Sequence, residues 1–351
     1  MPGFSLSNNL HKGIEVDLSI EKLAFGGKAL GRVDGLVVFV EHALPGQRVR
    51  AVITRKKAQF AEARVTQVLE QSPSWVAPRC RHFGLCGGCQ WQDLAYEAQL
   101  HWKELQVREC LQPVLGTRPA LIKPVTASPE HFYYRNKMEF TFAPRAWLPA
   151  EELALEPDPA SLGPALGLHV PGSFHRVFNL RECHLQSPRT GNIVTTVCDW
   201  CRDSGRPAYD TRQQAGFWRF LVLREGRRTG QSLAHLITTD QGDLKTVDAL
   251  GAHLHRQFPE ITTLIHSTST KKAQVAQGGA SRILWGPGVI EEQVLGRRFR
   301  ISPASFFQTN TEAAEALYEA VIRLADVTGQ ETVWDLYCGA GSIALCLAHR
   351  V

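Results

Sequence analysis

The chain has 351 residues, of which 44% are hydrophobic and 21% are charged, and its formal net charge is +5. These proportions are typical of soluble globular proteins, so they exclude global disorder and fibrous folds, and the length predicts two or three domains. No apolar run approaches the roughly 18 residues of a membrane span, and the N-terminal segment lacks the pattern of a secretion signal, so we expect a cytoplasmic protein without a membrane partner.

Residues 11–70 contain short segments rich in valine, isoleucine and phenylalanine, separated by glycines. This pattern is typical of a small closed β barrel, and we predict five strands. Oligonucleotide-binding barrels use basic surfaces to follow a nucleic-acid backbone, although a basic segment is often only a solvated turn. The candidate RNA-binding residues lie in one predicted loop: Arg48, Arg50, Arg55, Lys56 and Lys57.

A cluster of three cysteines follows the barrel, where Cys80, Cys86 and Cys89 have the spacing C-x5-C-x2-C. Three thiolates on one short loop repel each other unless a cation neutralises them, which predicts an iron–sulfur cluster or another metal. A zinc site and an unligated tight loop are the alternatives, and Cys89 could join the CDWC pair in the zinc site. The candidates for a fourth ligand are Cys110, Cys183, Cys198, Cys201, Cys338 and Cys346.

The segment after the cysteines, DLAYEAQLHWKELQVRECL, predicts an amphipathic helix. Its apolar positions are Leu94, Ala98, Leu105 and Leu111. We expect this helix to pack on the cysteine loop.

From residue 132 to about residue 300, the sequence mixes strand and helix patterns. The strand patterns are YYRNKMEFTFA, ALGLHV, FWRFLVLREG, LAHLITT and ITTLIHS, and the helix pattern is LKTVDALGAHLHRQF. This mixture predicts an α+β domain, with an irregular, proline-bearing insertion at 145–165.

The last 50 residues predict the beginning of a nucleotide-binding fold. A helix pattern, TEAAEALYEAVIRLA, has Thr309 and Glu312 at capping-box spacing. It leads to VWDLYCGAGS, a predicted strand whose glycines would let the backbone approach a ligand, although an ordinary strand-to-helix turn is the alternative. The preceding SPASFFQTN places Gln308 beside two aromatic residues.

In this order, the glycine-rich barrel, CRHFGLCGGCQWQDLAYEAQL, and SPASFFQTN followed by DLYCGAGS resemble the RNA (uracil-5-)-methyltransferases. The resemblance is to bacterial 23S ribosomal-RNA members with an N-terminal TRAM domain and a [4Fe-4S] cluster, and YYRNKMEFTF and NLRECHLQ extend it. It implies Cys183 as the fourth cluster ligand and S-adenosylmethionine as cofactor. The implied cofactor-binding residues are Gln308, Tyr337, Ser342, Gly339, Gly341 and Asp335.

The resemblance also implies the domain order of a multidomain protein. The expected parts are an OB-like all-β TRAM barrel at 8–72, an iron–sulfur loop and helix at 73–115, a central α+β domain at 116–300, and the beginning of an α/β doubly wound, Rossmann-like methyltransferase domain at 301–351.

In this family, a cysteine thiolate adds to C6 of uracil, C5 takes the methyl group, and a base removes the C5 proton. The sequence has no D-P-P-R-x-G segment and no late cysteine motif, so we expect both catalytic residues beyond Val351 and an inactive, truncated chain. We expect a monomer with ribosomal RNA as its partner.

Three other functions are considered, of which two remain open and one disagrees with the sequence. One is an RNA-binding module without catalysis, and another is a tRNA uracil-C5 methyltransferase. A radical S-adenosylmethionine methylthiotransferase also combines TRAM with a cluster, but its C-x3-C-x2-C loop and C-terminal TRAM domain disagree with this sequence.

Overall fold

A computed structural model describes residues 10–116, 121–155, 158, 162–239 and 244–351. Contacts divide the chain into two compact units. Unit 1 comprises Met1–Gly84 and Cys89–Ala127, and unit 2 comprises Leu85–Gly88 and Ser128–Val351. Among the helices in the described ranges, none is both long enough and apolar enough to cross a bilayer.

Unit 1 is built on a closed five-stranded barrel, which confirms the prediction from the glycine-punctuated sequence. Alternate apolar residues face its interior, and Val49, Ala51 and Ile53 are almost fully buried. The strands are ordered β1-β2-β3-β5-β4, and only the β3 and β5 pair is parallel. Their bounds are β1 Glu15–Leu23, β2 Ala29–Val33, β3 Leu36–Glu41, β4 Arg48–Lys56 and β5 Phe60–Glu70.

The prediction of a basic loop at 48–57 is wrong, because strand β4 occupies nearly all of it. The strand alternates buried Val49, Ala51 and Ile53 with more exposed residues that include Arg48 and Arg50, and this alternation fits a pleated sheet better than a loop. Only Lys57 lies past the end of β4, in the turn to β5.

Helix α1, Tyr96–Leu115, packs on the barrel of its own unit. Ala98 and Trp102 contact the barrel core, and the buried amide of Gln106 donates to the carbonyls of Leu23 and Ala24. The predicted apolar face is therefore partly wrong, since Leu111 is exposed and Leu94 precedes the helix.

Unit 2 is built on a seven-stranded sheet with the order β12-β11-β10-β9-β6-β7-β8. Its pairs are antiparallel except β10 and β11, which the crossover helix α4, Leu244–Gln257, connects. A second amphipathic helix, α3, is Thr190–Asp203. The strands are β6 Lys137–Ala143, β7 Ala165–His169, β8 Val177–Asn179, β9 Trp218–Glu225, β10 Ser232–Thr238, β11 Thr263–Thr268 and β12 Ser281–Trp285.

The insertion predicted at 145–165 contains a short helix, α2, Ala150–Leu155. The irregular structure expected at 156–157 and 159–161 lies outside the described residues.

The C-terminal part of unit 2 packs around an apolar core that also includes Leu233 of β10 and Ile265 of β11. Phe307 and Tyr318 are buried there among residues of a two-stranded hairpin and two helices. These elements are β13 Ile290–Val294, β14 Arg297–Ile301, α5 Thr311–Ala325 and α6 Ser342–Leu347.

Two local predictions for this part are wrong. Residues 331–337 form no strand, and they pair with no strand among the described residues, so their backbone groups lack the neighbour that a strand needs. Helix α5 is capped by Asn310, whose side chain accepts a hydrogen bond from the Ala313 amide, and not by Thr309 as the capping-box pattern suggested.

Candidate cofactor, cluster and RNA-binding sites

The FFQ segment is held through its backbone by two buried side chains of the central sheet. On β9, the Arg224 guanidinium donates to the carbonyls of Pro303 (3.2 Å) and Ser305 (2.6 Å). Just before β6, the Asn136 amide donates to the Gln308 carbonyl at 2.8 Å. Burial lowers the pKa of Arg224, and the two carbonyl acceptors partly replace its lost hydration.

A buried carboxylate completes this support. Asn136 also donates to the Thr311 hydroxyl at 3.0 Å, and that hydroxyl donates to Glu292 at 2.8 Å. Glu292 is fully buried and accepts three further bonds, from the amides of Arg227, Arg228 and Gln293. The start of α5 is therefore fixed by a continuous hydrogen-bond network.

With its backbone fixed, the side chain of Gln308 remains available to a ligand. Within the described ranges, its side-chain amide makes no hydrogen bond, while Phe306 beside it is 73% exposed. Phe307 points the other way, into the C-terminal core.

The glycine loop leads directly into α6. Gly339 and Gly341 have positive φ angles, as does Tyr337, whose side chain is fully exposed. The carboxylate of Asp335 accepts a hydrogen bond from the Ala344 amide at 3.2 Å, so it satisfies one backbone donor in the first turn of α6.

Ser342 contacts α5, because its hydroxyl lies 2.9 Å from the phenol oxygen of the buried Tyr318. Helix α5 thus connects the two predicted cofactor segments: the FFQ segment precedes it, and the glycine loop bonds to its middle.

In the cysteine loop, Gln92 links two of the predicted ligands in unit 1. Its amide oxygen accepts from the Cys80 backbone N–H (2.9 Å), and its amide nitrogen donates to the Cys89 sulfur (3.3 Å). Both cysteines are half-buried.

Cys86 and Cys183 both belong to unit 2 and both lie near Leu185. The Gly87 amide donates to the His169 carbonyl at 2.9 Å, which places the 85–88 segment against β7. Gly88 lies close to both residues: a Cβ atom built on it would be 3.5 Å from the Cys86 sulfur and 3.8 Å from the Leu185 side chain. The Leu185 amide in turn approaches the Cys183 sulfur at 3.5 Å.

The segment that carries Cys183 is bonded to the residues before Asn136. The amide of Tyr133 donates to the His184 carbonyl at 2.7 Å, and the amide of Arg135 donates to the Leu185 carbonyl at 2.8 Å. The backbone of residues 133–135 therefore links the Cys183 segment to Asn136, whose side chain donates to the Gln308 carbonyl.

The other cysteines differ in environment. Cys198 and Cys201 lie on the buried face of α3, where burial raises the pKa of Cys198 to about 11 and also raises the pKa of Cys201 well above its usual value. Cys198 donates its thiol proton to the Pro164 carbonyl. Cys110 is exposed on α1, Cys338 is exposed on the glycine loop, and Cys346 is buried in α6.

The five basic residues predicted to bind RNA divide into two groups. Arg50 makes a two-bond ion pair with Asp17, at 2.8 and 3.0 Å, and Arg48 pairs with Glu70 at 3.2 Å. The second group is Arg55, Lys56 and Lys57. Within the described ranges, these three side chains make no ion pair or hydrogen bond.

Sequence reasoning missed Asn136 and Arg224 as supporting residues. Both are polar residues at the ends of apolar strand patterns, YYRNKMEFTFA and FWRFLVLREG. A buried polar residue needs a hydrogen-bond partner, so a polar residue beside an apolar strand pattern could have indicated a supporting role. The partners themselves lie about 80 to 170 residues away in sequence, so they could not be identified.

Comparisons with known proteins identify a domain family and relatives of this chain. A profile for the TRAM domain matches residues 10–66. An uncharacterized RNA methyltransferase of Nitratidesulfovibrio vulgaris is 40% identical over 339 residues, which are 96% of this chain and 69% of the relative. Another, from Chlorobaculum tepidum, is 36% identical over 97% of this chain and 71% of its own length.

Among solved structures, Pyrococcus abyssi tRNA (uracil-54, C5)-methyltransferase in complex with S-adenosyl-L-homocysteine has a TM-score of 0.68. The match covers 95% of this chain and 70% of that protein, at 20% identity, so the likeness concerns the fold. Our expectation of an inactive chain finds no support in these comparisons.

Proposed function

This chain belongs to the RNA methyltransferases, and we propose that it serves the S-adenosylmethionine-dependent methylation of a uridine at C5, with 23S ribosomal RNA as the substrate. The observation that carries the proposal is the connection of both cofactor segments to α5, through Asn310 at its start and Tyr318 in its middle. The alternative substrate is tRNA, which is what the Pyrococcus abyssi protein is named for.

The side chains of the cofactor segments fit different roles. Gln308 and Tyr337 would bind S-adenosylmethionine, because the amide of Gln308 has no partner in the described ranges and the ring of Tyr337 is exposed. The backbone of Gly339 and Gly341 would let the ligand approach closely. Asp335 and Ser342 already bond to α6 and α5, so we assign them to positioning the loop.

The bound cofactor would supply an electrophilic sulfonium methyl group. The family resemblance assigns the nucleophilic cysteine and the base to positions downstream of the glycine loop. The part of the reaction proposed for residues 1–351 is therefore to bind the RNA and to hold and orient the cofactor.

We propose that Cys80, Cys86, Cys89 and Cys183 hold one [4Fe-4S] cluster. Support comes from the half-burial of all four, from the bridging of Cys80 and Cys89 by Gln92, and from the position of Cys86 and Cys183 beside Leu185. Methyl transfer needs no electron, so the role of the cluster would be structural. It would fix the Cys183 segment, which bonds to the residues preceding Asn136.

For RNA binding, we propose the barrel surface at Arg55, Lys56 and Lys57, whose charges are not matched by an acidic side chain in the described ranges. A cationic side chain without an ion pair can bind a phosphate directly, because no existing ion pair has to be broken first.

The cofactor assignment can be tested by calorimetry with S-adenosylhomocysteine. Gln308→Ala should weaken binding about tenfold, the loss expected for one hydrogen-bonded contact of about 1.4 kcal/mol. Gln330→Ala is the control, because its exposed side chain lies outside both segments. Equal affinities of the two variants would contradict the role of Gln308.

The substrate can be tested by methylation assays with the full-length protein. Tritiated methyl groups from S-adenosylmethionine should enter 23S ribosomal RNA from cells that lack the gene and should not enter tRNA from the same cells. The opposite result would favour the tRNA alternative.

A further inference from the structure

A cavity of about 610 Å³ opens in unit 2 at the end of β6 that is opposite Asn136. Its floor includes the buried side chains of Phe142, Val177 and Tyr209. Strand β6 has seven residues, so this floor lies roughly 20 Å along the sheet from the residue that holds Gln308. The cavity is therefore separate from the cofactor segments.

The cavity is rich in aromatic side chains that can stack on a planar ligand. Trp147 is half-buried at its wall, whereas Phe174 is 82% exposed at its mouth. Exposing so large an apolar ring to water is unfavourable, and burial under a planar group would recover that free energy.

The aromatic floor is held rigidly. The guanidinium of Arg219 lies 4.3 Å from the ring centre of Tyr209, and Arg219 is itself buried. It donates to the carbonyls of Ser269 (3.0 Å) and Ala273 (3.2 Å). A ligand that binds here meets a preformed surface, so little ordering free energy is spent on binding.

The rim of the cavity is positively charged. Arg145, Arg176 and Arg212 line it, their side chains are exposed, and among the described residues their guanidinium groups have no ion pair or hydrogen bond. One lining residue is acidic, Asp210, and its carboxylate accepts bonds from the amides of Arg212 and Gln213. The local charge therefore favours an anion.

We propose that this cavity binds an unpaired nucleotide of single-stranded RNA, with the base between the aromatic side chains and its phosphates at the three arginines. Aromatic rings beside unpaired arginines match the chemistry of a base attached to a charged backbone. A volume of this size also falls in the range of small-ligand pockets, about 300–1,000 Å³. This inference rests on the proposed function only in taking RNA as the substrate.

The test measures binding of fluorescein-labelled oligouridine by anisotropy over a range of salt concentrations. Phe174→Ala should weaken binding about tenfold, since stacking of one base contributes about 1–3 kcal/mol. The triple variant Arg145→Ala, Arg176→Ala, Arg212→Ala should reduce the slope of log K against log salt by up to about 2, at about 0.7 for each phosphate contact on single strands. All four side chains are exposed, so folding should be unaffected.

The matched control is Arg256→Ala, which removes an exposed arginine from the last turn of α4, outside the cavity. If the wild type binds oligouridine and the cavity variants bind it equally well with unchanged slopes, the inference is wrong while the proposed function stands. If the wild type binds no RNA, the proposed function fails as well. If Phe174→Ala weakens binding of S-adenosylhomocysteine but not of RNA, the cavity belongs to the cofactor and the inference is overturned.

Discussion

Asn136 holds Gln308 by its backbone, with the side-chain amide of Asn136 donating to the Gln308 carbonyl at 2.8 Å. The backbone N–H of Asn136 also donates to the Thr309 carbonyl at 2.8 Å, so a single residue fixes two successive peptide groups. This arrangement positions the proposed cofactor contact without using its side chain. The residues immediately before Asn136 bond to the segment of Cys183, which extends the same support to a proposed cluster ligand.

Replacing Asn136 with alanine should therefore weaken both stability and cofactor binding. The half-buried carbonyl of Gln308 would lose its donor, and leaving a fully buried group unsatisfied costs about 1–3 kcal/mol. We expect a decrease of that size in the free energy of unfolding by urea, with a severalfold loss of affinity for S-adenosylhomocysteine. Asn192→Ala, an exposed asparagine on α3, is the control and should change neither. Unchanged affinity in Asn136→Ala would show that the Gln308 backbone needs no such support.

The barrel was predictable from sequence because its cause is local. Strand β4 alternates buried Val49, Ala51 and Ile53 with more exposed residues, and glycines mark the turns, so neighbouring residues contain the information. Local reasoning also led to the wrong prediction of a loop at 48–57. Charged residues cluster there because a barrel strand buries only one face and its other face can be charged.

The supports of the site were not predictable, because they depend on distant partners. Nothing near Arg224 in sequence indicates that it will bond to Pro303 and Ser305. Likewise, a strand at 331–337 depends on a neighbour in a sheet, and a local apolar pattern cannot supply one.

The cluster proposal predicts different effects for two cysteine variants. Cys183→Ser should lower iron and labile sulfide per chain and reduce the visible absorbance of anaerobically purified protein, whereas Cys110→Ser should leave all three unchanged because Cys110 is exposed on α1. Cys183→Ser should also weaken binding of S-adenosylhomocysteine, through the backbone bonds that lead to Asn136. Full iron content in Cys183→Ser, or zinc in place of iron in the wild type, would contradict the assignment.

The barrel surface should show its function in the salt dependence of RNA binding. Replacing Arg55, Lys56 and Lys57 with alanine should lower the slope of log K against log salt by up to about 2, at about 0.7 per contact on single strands. The double variant Arg48→Ala, Arg50→Ala is the comparison, and its effect should be smaller because both residues already pair with carboxylates. Equal slopes in the two variants would show that the ion pairs of Arg48 and Arg50 do not keep these residues from binding RNA phosphates.

Two buried histidines of the central sheet should make unit 2 sensitive to acid. Burial lowers the pKa of both His235 and His266 from 6.5 to about 4. The Nε2 of His235 lies 2.7 Å from the Ser267 hydroxyl, and the Nε2 of His266 lies 2.8 Å from the Thr238 hydroxyl. The folded state thus holds both rings neutral, while the unfolded chain takes up protons below pH 6.5.

The sign of the effect follows from this difference. Because the folded pKa is depressed, the contribution to stability is fully present above pH 6.5 and is lost as the pH falls towards 4. At about 1.4 kcal/mol for each pKa unit, the loss is of the order of 3 kcal/mol for each histidine. Glu225 acts in the opposite sense, since burial raises its carboxyl pKa and stability gained on its protonation offsets part of the loss.

Urea unfolding of the wild type and of the double variant His235→Gln, His266→Gln would measure this dependence between neutral pH and about pH 5. Glutamine retains a hydrogen-bonding amide near each hydroxyl but does not titrate, so the variant should show a flatter decline of the unfolding free energy as the pH falls. Each single variant should remove about half of the difference, apart from the mutual repulsion that further lowers the pKa of His235. A decline as steep in the double variant as in the wild type would assign the acid sensitivity to other groups, and the neutral state of the two rings would then contribute little to folding.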